Sequence, residues 1–319
     1  MSGPPQAPIG LISNPNSGHN RDRFPRIRAM VADCPSVHHV VTGSADDIGP
    51  ALDEMARLQV KVLAINGGDG TASATLGRML EGHMFQDVPP IVLLPGGTAN
   101  MNAGDVGVRG KLLPAVKRFC RWSETGRGVT GTVERCLLRV HANGGNHYGM
   151  FLGAGAVMHG TEYAHREIHA RGLRDEFSLA LGTARTVWGV FRDDPRFNRH
   201  VTISLRLGDG TAASHDALIL AVSTLHRLFF GMRPFWGDEP GQLRLTLVEQ
   251  GCTRFLRTFI SIARGRPNRN AVPGSGYISH NADRVQLALE GSLNLDGEII
   301  QTGGEVSIDT AGPLQFLRL

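Results

Sequence analysis

Between Ile9 and Trp122, short apolar runs alternate with longer stretches whose apolar residues recur every three or four positions. Ile9–Ser13, Val37–Val41, Val60–Ile65 and Pro90–Leu94 predict strands, since short apolar runs bounded by Gly, Pro, Asn or Ser suit buried strands. The intervening stretches predict helices. One ends near Ala32, and one runs to about Leu58 with Ser44 as its N-cap and Asp46 and Asp47 in its first turn. A third covers Ala72–Leu80, and a fourth continues to about Trp122. This strand–helix repetition predicts an α/β domain built on a doubly wound parallel sheet, in which ligands lie beyond the carboxyl ends of the strands.

The pattern changes near Gly128. Val133–Val140, Asn146–Leu152, Val201–Leu207, Ala217–Ser223 and Leu243–Val248 predict strands, mostly antiparallel. Glu162–Ala170, Asp175–Phe191 and Cys252–Arg264 predict helices, and Tyr277–Leu319 is rich in strands and turns. The expected division is an α/β nucleotide domain over residues 1–127 and a β-rich, sandwich-like second domain over residues 128–310. A last strand near residues 311–319 is expected to return to the first domain.

Composition narrows the classes. The 319 residues are 41% hydrophobic and 19% charged, which suits a globular chain of two domains. A net charge of +4 favours anionic partners. An aromatic content of 6% and the lack of a dense Lys/Arg run argue against nucleic acid. Cys34, Cys120, Cys136 and Cys252 are widely spaced with no C-x-x-C, which predicts reduced thiols rather than zinc or disulfides. The Pro-rich start has no apolar signal core, and no segment approaches the roughly 18 apolar residues of a spanning helix. A cytoplasmic protein with peripheral membrane contact is expected, and a homodimer is compatible with the sequence.

The candidate chemistry lies in the turns after the predicted strands. Gly67-Gly68-Asp69-Gly70-Thr71 follows the third. Glycines let the backbone approach a phosphate, and amides at a helix start supply positive potential. Asp69 would repel a phosphate by itself and suits a Mg²⁺ or a hydroxyl. A plain strand–turn–helix connection would also explain this turn. However, Asn14, Ser17 and Gly18 form an N-P-x-S-G turn after the first strand, and Pro95-Gly96-Gly97-Thr98-Ala99-Asn100 follows the fourth. Three donor-rich turns at one edge of one sheet exceed what chain reversal requires. Neither a P-loop G-x-x-x-x-G-K-[ST] nor a G-x-G-x-x-G fingerprint is present.

In this order and spacing the three turns resemble the diacylglycerol kinase catalytic superfamily. That group includes bacterial lipid kinases, sphingosine kinases and ceramide kinases, and is distantly related to NAD kinases. Leu295-Asp296-Gly297-Glu298 matches the family's D-G-E motif and extends the likeness over nearly the whole chain. The resemblance implies ATP and Mg²⁺, with an active site between the two domains. It assigns nucleotide contacts to Asn14, Ser17, Gly18, Thr42, Asn66, Gly67, Gly68, Asp69, Gly70, Thr71, Ala72, Gly97, Thr98 and Asn100. Asp69 is the implied metal ligand. Glu298 is the implied base, taking the proton of a diacylglycerol-like lipid hydroxyl at a membrane surface.

This chain departs from the family at two places. Met101 stands where many members carry an Asp, with Asp105 one helical turn on as a substitute carboxylate. Pro240-Gly241, with Asp238 and Glu239 upstream, replaces an Asp-Gly turn near a structural metal. An NAD kinase-like enzyme and a nucleotide- or lipid-binding sensor without catalysis are the competing readings. Two further features stand apart. Glu162, His165 and His169 share a predicted helix face, better explained as exposed polar residues than as a metal site. The apolar segment Leu228–Trp236 lies near Arg254, Arg257, Arg264, Arg266 and Arg269. It suits either a core or a wedge for an anionic membrane.

Overall fold

The computed structural model describes residues 8–155, Gly189 and 200–319. The helices expected over Glu162–Ala170 and Asp175–Phe191, with Glu162, His165 and His169, lie outside the described residues. The chain divides into two compact units. One runs to Arg135 and resumes at Gly312–Leu319; the other is Cys136–Ala311.

The first unit contains strands β1 (Ile9–Ser13), β2 (Val37–Val41), β3 (Val62–Gly67) and β4 (Ile91–Pro95). Its helices are α1 (Phe24–Ala32), α2 (Ile48–Arg57), α3 (Asp69–Gly82), α4 (Met101–Val106) and α5 (Leu112–Thr125). The strands pair in parallel in the order β2-β1-β3-β4, and Phe316 near the C-terminus pairs with Ile91 beyond β4. Strand alternation sorts the side chains between two faces. Ile9, Leu11, Ala64, Val92 and Leu94 pack with Ile27 and Val31 of α1 and Val116 and Phe119 of α5. Gly10 faces the other way, and a Cβ there would lie 2.5 Å from Met55 Sδ of α2. Helices therefore cover both faces. Each fully buried Leu, Ile, Val or Phe contributes about 1.5–3 kcal/mol.

Three local readings need correction. Ser44 does not cap α2, which starts at Ile48. The Asp47 carboxylate instead folds back to accept hydrogen bonds from the Gly43 and Ser44 amides, both at 2.8 Å, and these bonds hold its pKa below the ordinary value. Helix α3 begins at Asp69, so the end of the Gly-rich turn is already helical. The single helix expected to reach Trp122 is two helices, α4 and α5. At the break, a Cβ on Gly107 would lie 2.6 Å from the Leu93 carbonyl, and the Val108 amide donates to that carbonyl at 2.9 Å. The glycine lets the chain press against β4.

The second unit is rich in strands. It includes β6 (Gly145–Gly149), β7 (Phe151–Gly155), β8 (Val201–Leu207), β9 (Ala213–Ser223), β10 (Leu243–Glu249), β11 (Tyr277–Ala282) and β12 (Val285–Leu295). Helix α6 spans Phe255–Ala263. Strands β5 (Gly131–Ala142) and β13 (Glu298–Arg318) contribute residues to both units. Pairing runs β11-β10-β9-β7-β12-β13, a continuous hydrogen-bonded succession. Strands β7 and β8 share the slot between β9 and β12. Gly155 pairs with Ile219 and Val201 with Ala217. One apolar core gathers Leu152, Leu205, Leu220, Leu245, Leu287 and Ile308, among others.

Candidate active site

The three Gly-rich turns of the first unit meet at the carboxyl ends of β1, β3 and β4. Their parallel alignment brings Ser13, Asn66 and Leu94 to one level. The Asn14 amide donates to the Asn66 carbonyl at 2.9 Å, and Asn14 Nδ2 donates to Thr71 Oγ1 at 3.0 Å. The Ser17 hydroxyl accepts from the Gly68 amide at 3.1 Å and lies 3.4 Å from Thr71 Oγ1. The third turn closes on the first through the His19 amide, which donates to the Gly96 carbonyl at 2.9 Å. Asn100 ties that turn to itself, accepting from the Gly97 amide and donating to the Gly97 carbonyl, both at 2.8 Å.

Close approach explains the glycines. A Cβ on Gly97 would lie 2.4 Å from Gly68 Cα, and one on Gly18 would lie 2.3 Å from Thr98 Oγ1. Asn20, fully buried, donates through Nδ2 to the carbonyls of Asn14 at 2.7 Å and Asn66 at 3.2 Å, while its backbone amide reaches Gly96. It therefore links all three turns. Its sequence setting, Gly-His-Asn-Arg, gave no signal of this role.

The start of α3 leaves the Gly70 and Thr71 amides without an acceptor among the described residues. With the helix dipole, these suit an anionic ligand such as phosphate. Asp69, the expected metal ligand, accepts the Met101 and Asn102 amides at 3.1 and 2.9 Å through its two oxygens, fixing the first turn of α4. Asn66 and Thr42 lie deeper than the turns. Both side chains are buried, Asn66 donating to Ser13 Oγ at 3.3 Å and Thr42 to the Ser13 carbonyl at 3.4 Å. They support the turns from beneath. Gly67 and Ala72 are also buried, whereas Gly70 is exposed. His39 Nε2 is 2.8 Å from the same Ser13 hydroxyl, and burial lowers its pKa, aided by Arg28 and His38.

Asp105 does not replace the carboxylate missing at Met101. It is 2% exposed and paired with Arg135 at 3.1 Å, while its carbonyl accepts from Arg318. A buried carboxylate so paired is structural, and losing one partner of such a pair costs about 3–5 kcal/mol. Asn102, 1% exposed, has no partner for either amide atom among the described residues. It lines a small recess with Gly68, Asp69, Ala72 and Asn100.

In the second unit, Asp296 and Gly297 form a two-residue hairpin loop between β12 and β13. Their φ values of 49° and 97° are those of a type I′ turn. Asp296, absent from the expected site, anchors the loop. Its carboxylate accepts the Met150 amide at 2.6 Å and the Phe151 amide at 3.1 Å, and its own amide donates to the Phe151 carbonyl at 2.9 Å. Asn294 accepts the Gly297 amide at 3.0 Å. Glu298 follows as the first residue of β13 and is exposed, as is Ile299 beside it. At the other departure, Glu239 pairs with His280 and accepts the Asn281 amide, and the His280 contact draws its pKa down to about 2. Among the described residues no group of three His, Cys, Asp or Glu could hold a metal ion.

Residues 8–127 match the model of the diacylglycerol kinase catalytic domain. The likeness in sequence is confined to this segment of the chain. The match covers all three turns. A solved diacylglycerol kinase of Bacillus anthracis str. Sterne shares the fold with a TM-score of 0.63 at 16% identity, over 97% of this chain and 96% of that one. Two further structures from the same organism score 0.69 and 0.64, at 17% and 16% identity. The first covers 99% of this chain and 96% of its own, the second 98% and 97%. No curated protein matches the sequence. Among the described residues no helix is long and apolar enough to cross a membrane.

Proposed function

We propose that the protein is an ATP-dependent lipid kinase that moves the γ-phosphoryl group of ATP onto the hydroxyl of a diacylglycerol-like lipid. The observation that carries this reading is the meeting of three donor-rich turns at the carboxyl ends of β1, β3 and β4, inside the segment matched by the kinase family. The Gly70 and Thr71 amides at the start of α3 take a phosphate, beside the hydroxyls of Ser17, Thr71 and Thr98. The Gly68 and Gly97 backbones admit it at close range. Asp69 would be the residue that meets a nucleotide-borne Mg²⁺, which would supply charge neutralisation on the transferring group. Asp69 positions α4 next to this site.

Glu298 accepts the lipid hydroxyl proton as the oxygen–phosphorus bond forms and ADP leaves. The hairpin fixes its backbone, and exposed Ile299 offers an apolar neighbour for an acyl chain. Labelled ATP offered separately to diacylglycerol-containing vesicles and to NAD tests the assignment. Labelled lipid with unlabelled NAD is expected; phosphorylated NAD with inert lipid would overturn it. One observation favours a second reading, a sensor that binds nucleotide without turnover: Met101, 8% exposed, stands where the resemblance implies an acid in many family members. Tight ATP binding with no turnover across a lipid panel would select that reading.

A further inference from the structure

Helix α6 carries apolar residues that lie outside the core clusters of the described residues: Leu256, Phe259 and Ala263 are part-buried and Ile260 is exposed. Phe255, Thr258 and Ile262 form the inner row: Thr258 and Ile262 are buried, and Phe255 and Ile262 pack with Val248 and Tyr277. Leu256, Phe259, Ile260 and Ala263 follow the i, i+3, i+4, i+7 spacing of a second row. None of these four belongs to a core cluster among the described residues, and Ile260 is 39% exposed. A third row, Arg254, Arg257 and Arg264, is exposed.

A neighbouring loop adds to this surface. The Arg233 amide donates to the Ala263 carbonyl at 2.9 Å, which ties the turn at Phe229–Gly231 to the end of α6. In that turn Phe230 is 54% exposed and adopts φ 55°, a left-handed conformation unusual for a bulky residue. The loop hydrogen bonds from Leu228 to Met232, and from Gly231 and Met232 back to Leu228 and Phe229, hold this conformation.

The local charge selects among occupants. From Gly251 to Ala282 there are five arginines and no Asp or Glu. A protein partner or a second copy of this chain would have to match an apolar strip beside a row of arginines, Arg254, Arg257 and Arg264. An anionic lipid surface offers both an apolar interior and a negative plane, and suits that arrangement without further shape.

We infer that the outer face of α6, with Phe230, is a docking surface for the plane of an anionic phospholipid bilayer. The helix lies along the membrane, with Leu256, Phe259 and Ile260 entering the acyl boundary and the arginines at headgroup level. This concerns the membrane, not the phosphoryl acceptor, so it stands independently of the kinase reading.

The test is co-sedimentation of the full chain, without ATP, with phosphatidylcholine vesicles and with vesicles containing about one-third phosphatidylglycerol. Wild type should bind the anionic vesicles more tightly, and high salt should weaken that binding. Phe230→Ser with Ile260→Ser should lower partitioning at least tenfold, as expected for losing two inserted side chains. Arg257→Ala with Arg264→Ala should lower it roughly fivefold per arginine on anionic vesicles and leave phosphatidylcholine unaffected. All four positions are exposed, so the variants should keep the wild-type Tm. Unchanged vesicle binding in both double variants would overturn the inference. So would a wild-type dimer that Phe230→Ser with Ile260→Ser dissociates while vesicle binding persists, since the face would then belong to a second copy. Lost vesicle binding with retained transfer to a micellar lipid would uphold both proposals. Vesicle binding without any transfer would uphold this one alone.

Discussion

The turn cluster of the first unit draws on residues 14–20, 66–71 and 96–102, three segments that meet only because β1, β3 and β4 lie side by side. The hairpin presenting Glu298 closes within four consecutive residues, Leu295 to Glu298, and is pinned by one buried carboxylate. The two regions also use glycine differently. Gly97 is needed for space, since a Cβ would strike Gly68 backbone; Gly297 has open space around it and is needed for its positive φ. A binding surface for a ligand with many oxygens can thus be spread over distant segments. A single reacting acid requires only a stiff local turn.

The largest effect should come from the hairpin. Glu298→Gln should lower turnover about 10²–10⁴-fold, the usual range for a lost general base, with Mg-ATP affinity unchanged by calorimetry. If affinity fell with turnover, the division of labour between the regions would fail. The two glycines sharpen the contrast. Gly97→Ala should cost about 1–3 kcal/mol by denaturant unfolding, because backbone must move, and should abolish Mg-ATP binding. Gly297→Ala should cost about 1 kcal/mol and leave binding intact. Equal effects of the two would break the comparison. Asp69→Ala, which strips acceptors from the Met101 and Asn102 amides, should cost about 1–3 kcal/mol and weaken Mg-ATP binding.

The smallest effect is a pH dependence confined to the first region. The folded pKa of His39 lies below 6.5, so in acid the unfolded chain binds the proton first and stability rises with pH there. Stability should therefore fall as pH drops below 6.5. His39→Gln should flatten that slope by up to about 1 kcal/mol in thermal melts recorded from pH 7 to pH 5.

Much of this was legible where one physical signal dominated. Ile9–Ser13, Val37–Val41 and Val201–Leu207 are strands with the expected ends, because apolar or alternating runs stop at strong turn residues. The turns were legible as phosphate-compatible bends. Their interlocking was not, because Asn20 contacts two carbonyls brought to it by other strands. Ser44 misled because the Asp47 carboxylate, three residues on, turns back to accept the Gly43 and Ser44 amides, and α2 starts only at Ile48. The break between α4 and α5 depends on Gly107 meeting the Leu93 carbonyl, a contact that helical periodicity does not encode. Glu298 stood out only through its resemblance to a family. As a bare sequence, Asp-Gly-Glu is an ordinary hairpin, and the hairpin is indeed there. The role of Asp296 as its anchor depends on β7, some 145 residues earlier in the chain.

The central claim is that one nucleotide triphosphate is held by all three turns together. Amide hydrogen exchange of the full chain, with and without Mg-ATP, tests it most directly. The account predicts that Mg-ATP slows exchange at residues 14–20, 66–72 and 96–102 in concert. Protection limited to one of these segments, or found elsewhere while all three exchange as before, would contradict it.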